Sequence, residues 1–159
     1  MPRRPPRALR AGLPDLRSRD STSTLFVSNC SGPGACSAVH TYLLVDGLDL
    51  IAHSDSRVVG LHPRQLLRPG GPLYPAEKAH RVRVASLDSS EPDAGGLDIR
   101  VRLQGETVIW GDLMYPDRES LVTEEVRFHL GHYIAEIERA YSCWHSCEGI
   151  RHSRASAIP

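Results

Sequence analysis

The chain has 159 residues, 40% apolar and 24% charged, which is ordinary for a globular protein and long enough to bury a sizeable core in one domain. Lysine plus arginine and aspartate plus glutamate stand at 19 each, so no net field draws the chain to nucleic acid or to an acidic surface. No window approaches 18 consecutive apolar residues and the charged N-terminus lacks the apolar run of a signal peptide, so the expectation is a cytoplasmic protein, off the membrane, with its four thiols reduced.

Residues 1–24 carry Arg3, Arg4, Arg7, Arg10, Arg17 and Arg19 against Asp15 and Asp20, with prolines at 2, 5, 6 and 14. Such composition predicts a disordered arm. Order begins at the apolar run Leu25-Phe26-Val27, which meets a loop-like stretch from Asn29 to Cys36. Ser37 to Ala52 predicts a hairpin turning at Asp46-Gly47, with Val45 beside Leu48 and Leu43 beside Leu50. From His53 to Lys78, Pro63, Pro69-Gly70-Gly71-Pro72 and Pro75 predict an irregular connection with no more than a helical turn at 64–67. A connection of that length is a reasonable place for a binding surface.

His80 to Ala85 alternates as a strand, and Ser86 to Gly96 is a polar loop. Leu97 to Tyr115 carries the clearest pattern. Ile99, Val101 and Leu103 alternate with Arg100 and Arg102, and Gln104-Gly105 predicts a two-residue turn. That turn sets Val101 opposite Val108 and Ile99 opposite Trp110 on one face. After a polar loop comes a short strand at Val126-Arg127-Phe128, then a helix from about Leu130 to Tyr141. Leu130, Tyr133, Ile134, Ile137 and Tyr141 form its apolar stripe. Glu136 and Arg139 lie on the polar side, spaced to pair. His129 stands where serine or aspartate would cap the helix, which predicts a weak start. Residues 142–159 predict a flexible Ser/His/Arg tail. The sum is an α+β domain over residues 25–141: an antiparallel sheet of five or six strands built from hairpins, with one C-terminal amphipathic helix packed on it.

Val45-Asp46-Gly47, Val108-Ile109-Trp110 and the run Arg127-Phe128, Tyr133, Glu136, Arg139, Ala140 resemble an uncharacterised actinobacterial family of small proteins. Its pattern has a VDG turn, a loop of CxCGExGC type, a V-x-W hairpin and an rFxxxxYxxExxRA helix. The likeness covers roughly residues 42–141. Where that family carries loop cysteines this chain reads Leu87 to Gly95, with Glu91, Pro92 and Gly95 alone family-like. The resemblance implies no activity, and any metal or stiffening role of those cysteines is absent here.

Cys143-Trp144-His145-Ser146-Cys147 is the sharpest candidate for chemistry. Two thiols and an imidazole within five residues suit zinc, with Cys30, Cys36 or His152 as a fourth ligand, although the spacing is not that of a zinc knuckle. Cys30 and Cys36 lack C-x-x-C redox spacing. His129 and His132, with His40 or His53, form a second cluster. Asp112, Asp117, Glu119, Glu124 and Glu125 show no acid–base spacing, and the glycine pairs lack a phosphate-loop lysine. The functional expectation is a small non-enzymatic protein that binds a protein or a small ligand through the 53–78 connection and a sheet face. The alternative is a small zinc-stabilised domain using Cys143, His145 and Cys147. A hydrolase whose site is scattered in sequence is the third reading. No residue pattern in the sequence marks a catalytic or cofactor-binding site.

Overall fold

A computed structural model describes residues 21–31, 38–54, 58–87, 95–114 and 125–155. Of the expected disordered arm only residues 21–24 fall inside these, and Cys36 and most of the expected 86–96 and 117–125 loops lie outside the described residues. The fold is α+β, as expected, but its strands form two antiparallel sheets rather than one. The first contains β1 (Leu25–Ser31), β2 (Val39–Val45) and β3 (Leu48–Asp49) in that order. After a helical turn α1 (Leu50–Ser54), the second runs β4 (Val58–Gly60), β5 (His80–Leu87), β6 (Gly96–Gln104), β7 (Thr107–Met114) and β8 (Val126–His129), with α2 (Pro63–Leu66) between its first two strands. Helix α3 (Leu130–Ala155) follows directly and packs against β1, β7 and β8.

Backbone hydrogen bonds join the sheets at two places. Thr41 N–H in β2 donates to the Leu61 carbonyl just past β4, and Leu61 N–H donates to Val84 in β5, both at 3.0 Å. Ser23 N–H, just before β1, donates to the Arg127 carbonyl in β8 at 2.6 Å. At the first junction the chains approach so closely that a Cβ on Gly60 would stand 1.8 Å from the Thr41 carbonyl oxygen. Only glycine fits there. One hydrophobic cluster draws on both sheets and α3, from Val27 and Leu43 through Val82, Ile99 and Trp110 to Tyr133 and Ile137.

Both hairpins form, with corrections. The central turn is Gly105-Glu106, one residue later than the sequence reading. Gly105 takes φ +59°, the first-position glycine of a type II′ turn whose twist matches the strands. Val101 therefore faces Trp110 and Leu103 faces Val108. Moving the turn by one residue shifts the register by two, and a period of two returns every side chain to its face. Ile99, Val101, Val108 and Trp110 are accordingly all buried. In the first hairpin Val45 faces Leu48 as read, across Asp46 (φ 51°) and Gly47 (φ 84°). Leu50 does not continue the strand. Asp49 Oδ1 accepts hydrogen bonds from Ile51 and Ala52 N–H at 2.9 and 3.0 Å and starts α1 instead.

Three further expectations need correction. Asn29, Cys30 and Ser31 extend β1, paired with Thr41, His40 and Val39, rather than opening a loop. The 53–78 connection contains β4 and α2, and Leu66, Leu67 and Leu73 are buried in the core, so much of it is packed. Its helix α2 begins with Pro63 at the first position and His62 Nδ1 accepting from Arg64 N–H at 3.2 Å. Finally, α3 does not end near Tyr141, and residues 142–155 are helical. The next apolar position of its stripe is Trp144, seven residues beyond Ile137, which is 6% exposed and meets the His62 ring edge-on at 5.2 Å. At the start of α3, His129 Nδ1 accepts from Gly131 N–H at 3.2 Å, in the place a serine or aspartate cap would take.

Candidate functional site

The site is built outward from three aromatic rings that seat α3. Trp110 packs edge-on against Phe128 and Tyr133 at 4.9 and 5.9 Å. The Tyr133 hydroxyl donates to the Leu73 carbonyl at 2.7 Å and accepts from Trp110 Nε1 at 3.1 Å. Burial pushes this phenol well above its ordinary range, only partly countered by the indole hydrogen bond, so it stays a proton donor.

One turn further along α3, Glu136 and Arg139 close the outer edge of β1. Glu136 Oε1 accepts from Val27 N–H at 2.7 Å, and an Arg139 Nη donates to the Val27 carbonyl at 2.8 Å. The two side chains also bond each other at 2.6 and 2.8 Å. Together they supply the donor and acceptor that a neighbouring strand would offer, which blocks further pairing at that residue. Burial raises the Glu136 pKa, but the hydrogen bonds from Arg139 and from Val27 N–H outweigh it and hold the carboxyl below its usual range. Asn29 Nδ2 makes the next fastening, donating to the Ala140 carbonyl at 3.0 Å. Trp110, Phe128, Tyr133, Glu136, Arg139 and Ala140, six of the residues that carry the sequence resemblance, are thus fasteners of α3 to the sheets.

Between β1 and α3, bordered by the fastening residues Val27, Asn29, Arg139 and Ala140, lies an open groove of about 220 Å³. Phe26, Val27, Asn29 and Val39 line one side, and Ala140, Cys143, Trp144 and Cys147 the other. Phe26 is half-exposed, and the Arg139 guanidinium stands 5.0 Å from its ring centroid. Two buried polar atoms on these walls, Asn29 Oδ1 and Trp144 Nε1, have no hydrogen-bond partner.

Of the expected zinc ligands, Cys143 and Cys147 share the groove-facing side of α3. His145, two residues on, is turned about 200° from Cys143 by the helix and stacks on Tyr141 at 6.0 Å. Cys30 is exposed on β1, and the His152 side chain lies outside the described residues. Among the described residues no three His, Cys, Asp or Glu side chains converge as metal ligands. His129 and His132 do come together, ring centroids 5.2 Å apart, whereas His40 bonds the Gly60 carbonyl at 3.0 Å. The His53 side chain lies outside the described residues.

The acids are placed on the outer face of the second sheet. Asp112 pairs with Arg100 at 2.9 Å, and Glu125 with Arg102 and Arg127 at 3.0 and 3.2 Å. Asp117, Glu119 and Glu124 lie outside the described residues. Sequence reasoning missed Phe26, Asn29 and Trp144 as a surface. The one signal available was Trp144 continuing the stripe past Tyr141. No helix among the described residues is long and apolar enough to cross a membrane. No family model matches the chain, and no curated protein or solved structure matches it.

Proposed function

We propose that this chain is a small non-enzymatic binding protein and that it holds its partner in the β1–α3 groove. The carrying observation is the pairing there of Phe26, 50% exposed, with a concavity formed by β1 and α3. One exposed apolar side chain is ordinary on a protein surface, and what supports the reading is that Phe26 borders a groove lined in part by apolar residues. The groove accommodates one or two side chains of a short peptide: an apolar or aromatic anchor against Phe26, Val27 and Val39. β1 adds main-chain groups at its outer edge. Strand alternation points the main-chain groups of Asn29 to the same outer edge as those of Val27, and Asn29 lies beyond the Glu136–Arg139 clamp. An extended peptide would find strand-type partners there.

The test is an NMR titration of the full chain with a panel of short extended peptides bearing one aromatic anchor. Saturable shifts centred on the Trp144 indole N–H and on residues 26–29 and 140–147, lost in Phe26→Ser, are expected. Shifts that scatter over the surface, or that are unchanged in Phe26→Ser, would overturn the proposal.

A further inference from the structure

A second observation at this groove concerns cations rather than peptides. Cys143 and Cys147 are free thiols, both exposed, and both line the cleft. Their spacing of four puts them one above the other on the helix surface, with Cβ atoms about 5–6 Å apart. With the zinc–thiolate length of about 2.3 Å as a guide, two sulfurs in line across one ion stand about 4.6 Å apart. Rotation about the two Cα–Cβ bonds covers that difference, so the pair can straddle one ion without moving the backbone. Zinc asks for four ligands in a structural site, and no third ligand converges here among the described residues. A soft d10 cation content with two thiolates fits better.

The groove carries charge of both signs, from Arg139 and Glu148. A monovalent ion held by two thiolates makes a centre of net −1. Arg139 stands one turn before Cys143 on the same face of α3 and lines the same groove, as does Glu148. The neighbouring indole of Trp144 lies between the two cysteines in sequence and lines the same groove.

We propose that Cys143 and Cys147 form a two-thiolate site for a single soft monovalent cation of the Cu(I) class, independent of His145. On binding, two S–H bonds release their protons to solvent and two metal–sulfur bonds form, with no electron transferred. The site differs from a Cys-x-His-x-Cys zinc centre in stoichiometry of ligands and in the residue that is dispensable.

The experiment is an anaerobic titration of the reduced full chain with Cu(I) against a chromophoric Cu(I) chelator. Near-ultraviolet thiolate-to-copper absorption and Trp fluorescence are followed together. One Cu(I) per chain is expected to be withheld from the chelator. Cys143→Ser and Cys147→Ser should each weaken retention at least a hundredfold, with the far-ultraviolet circular dichroism unchanged. Cys30→Ser, Cys36→Ser and His145→Ala should retain copper as the parent does. The inference is overturned if the parent yields all its copper to the chelator, or if the Cys143→Ser/Cys147→Ser double variant retains it. Loss of binding in His145→Ala equal to that in the cysteine variants would also overturn it, in favour of a three-ligand centre.

Discussion

Removing the Glu136 carboxylate should unfasten β1 from α3, and the structure sets the size of the effect. Glu136 is only 14% exposed, and its Oε1 receives the Val27 N–H at 2.7 Å, a hydrogen bond to a charged group that contributes about 1.5–3 kcal/mol. Its ion pair with Arg139 adds about 0.2–1 kcal/mol, because Arg139 is 47% exposed and solvent screens it. Glu136→Ala should therefore destabilise the protein by about 2–4 kcal/mol, and Glu136→Gln, whose amide oxygen still accepts from Val27, by about 1–2 kcal/mol.

The pH dependence has a definite sign. The folded carboxyl titrates below the unfolded one, so between the two values the unfolded chain holds more protons and stability rises with pH. The contribution is whole above the unfolded value of about 4.3 and is lost as pH falls through the folded value. Urea denaturation of the parent, Glu136→Gln and Glu136→Ala at pH 7 and across pH 2.5–5 measures both effects. An acid-limb slope as steep in Glu136→Gln as in the parent, or a loss below about 0.5 kcal/mol for Glu136→Ala, would refute the clamp.

Tyr133→Phe removes only the hydroxyl but strands the Leu73 carbonyl and Trp110 Nε1 in the core, and should cost about 2–4 kcal/mol by equilibrium denaturation. A near-neutral result would mean that those atoms find other partners. Gly60→Ala drives a methyl into the Thr41 carbonyl, backbone against backbone, and should cost about 3 kcal/mol or more, or prevent folding; a soluble variant of parental stability would refute the junction of β2 with β4. Trp144→Ala should destabilise by about 3 kcal/mol and speed amide exchange selectively beyond Tyr141, since that ring is what ties the last turns of α3 to His62. Uniform exchange along the helix would contradict that.

Much of the fold could be read locally. Alternation in residues 97–114 and 80–85 identifies strands and their buried faces, because successive side chains point to opposite sides whatever lies beyond. The stripe from Leu130 to Tyr141 identifies the helix in the same way, and Asp46-Gly47 names its turn through the positive φ both residues adopt. The spacing of Glu136 and Arg139 announced that they could meet each other.

What those two side chains grip is another matter. Val27 lies more than a hundred residues away, and no local period reports so distant a partner. The same holds for the end of α3, which Trp144 extends only because His62 is there to pack against. The 53–78 connection reads as irregular from its prolines because the burial of Leu66, Leu67 and Leu73 comes from tertiary packing, with α2 against β2 and α3 and β4 against β5, rather than from an apolar period of its own. The Cys-x-His-x-Cys run looked like one cluster until a helix separated its histidine from its thiols. A sequence states which face of an element is apolar; only the tertiary structure decides what covers that face, and therefore that a groove lies between β1 and α3.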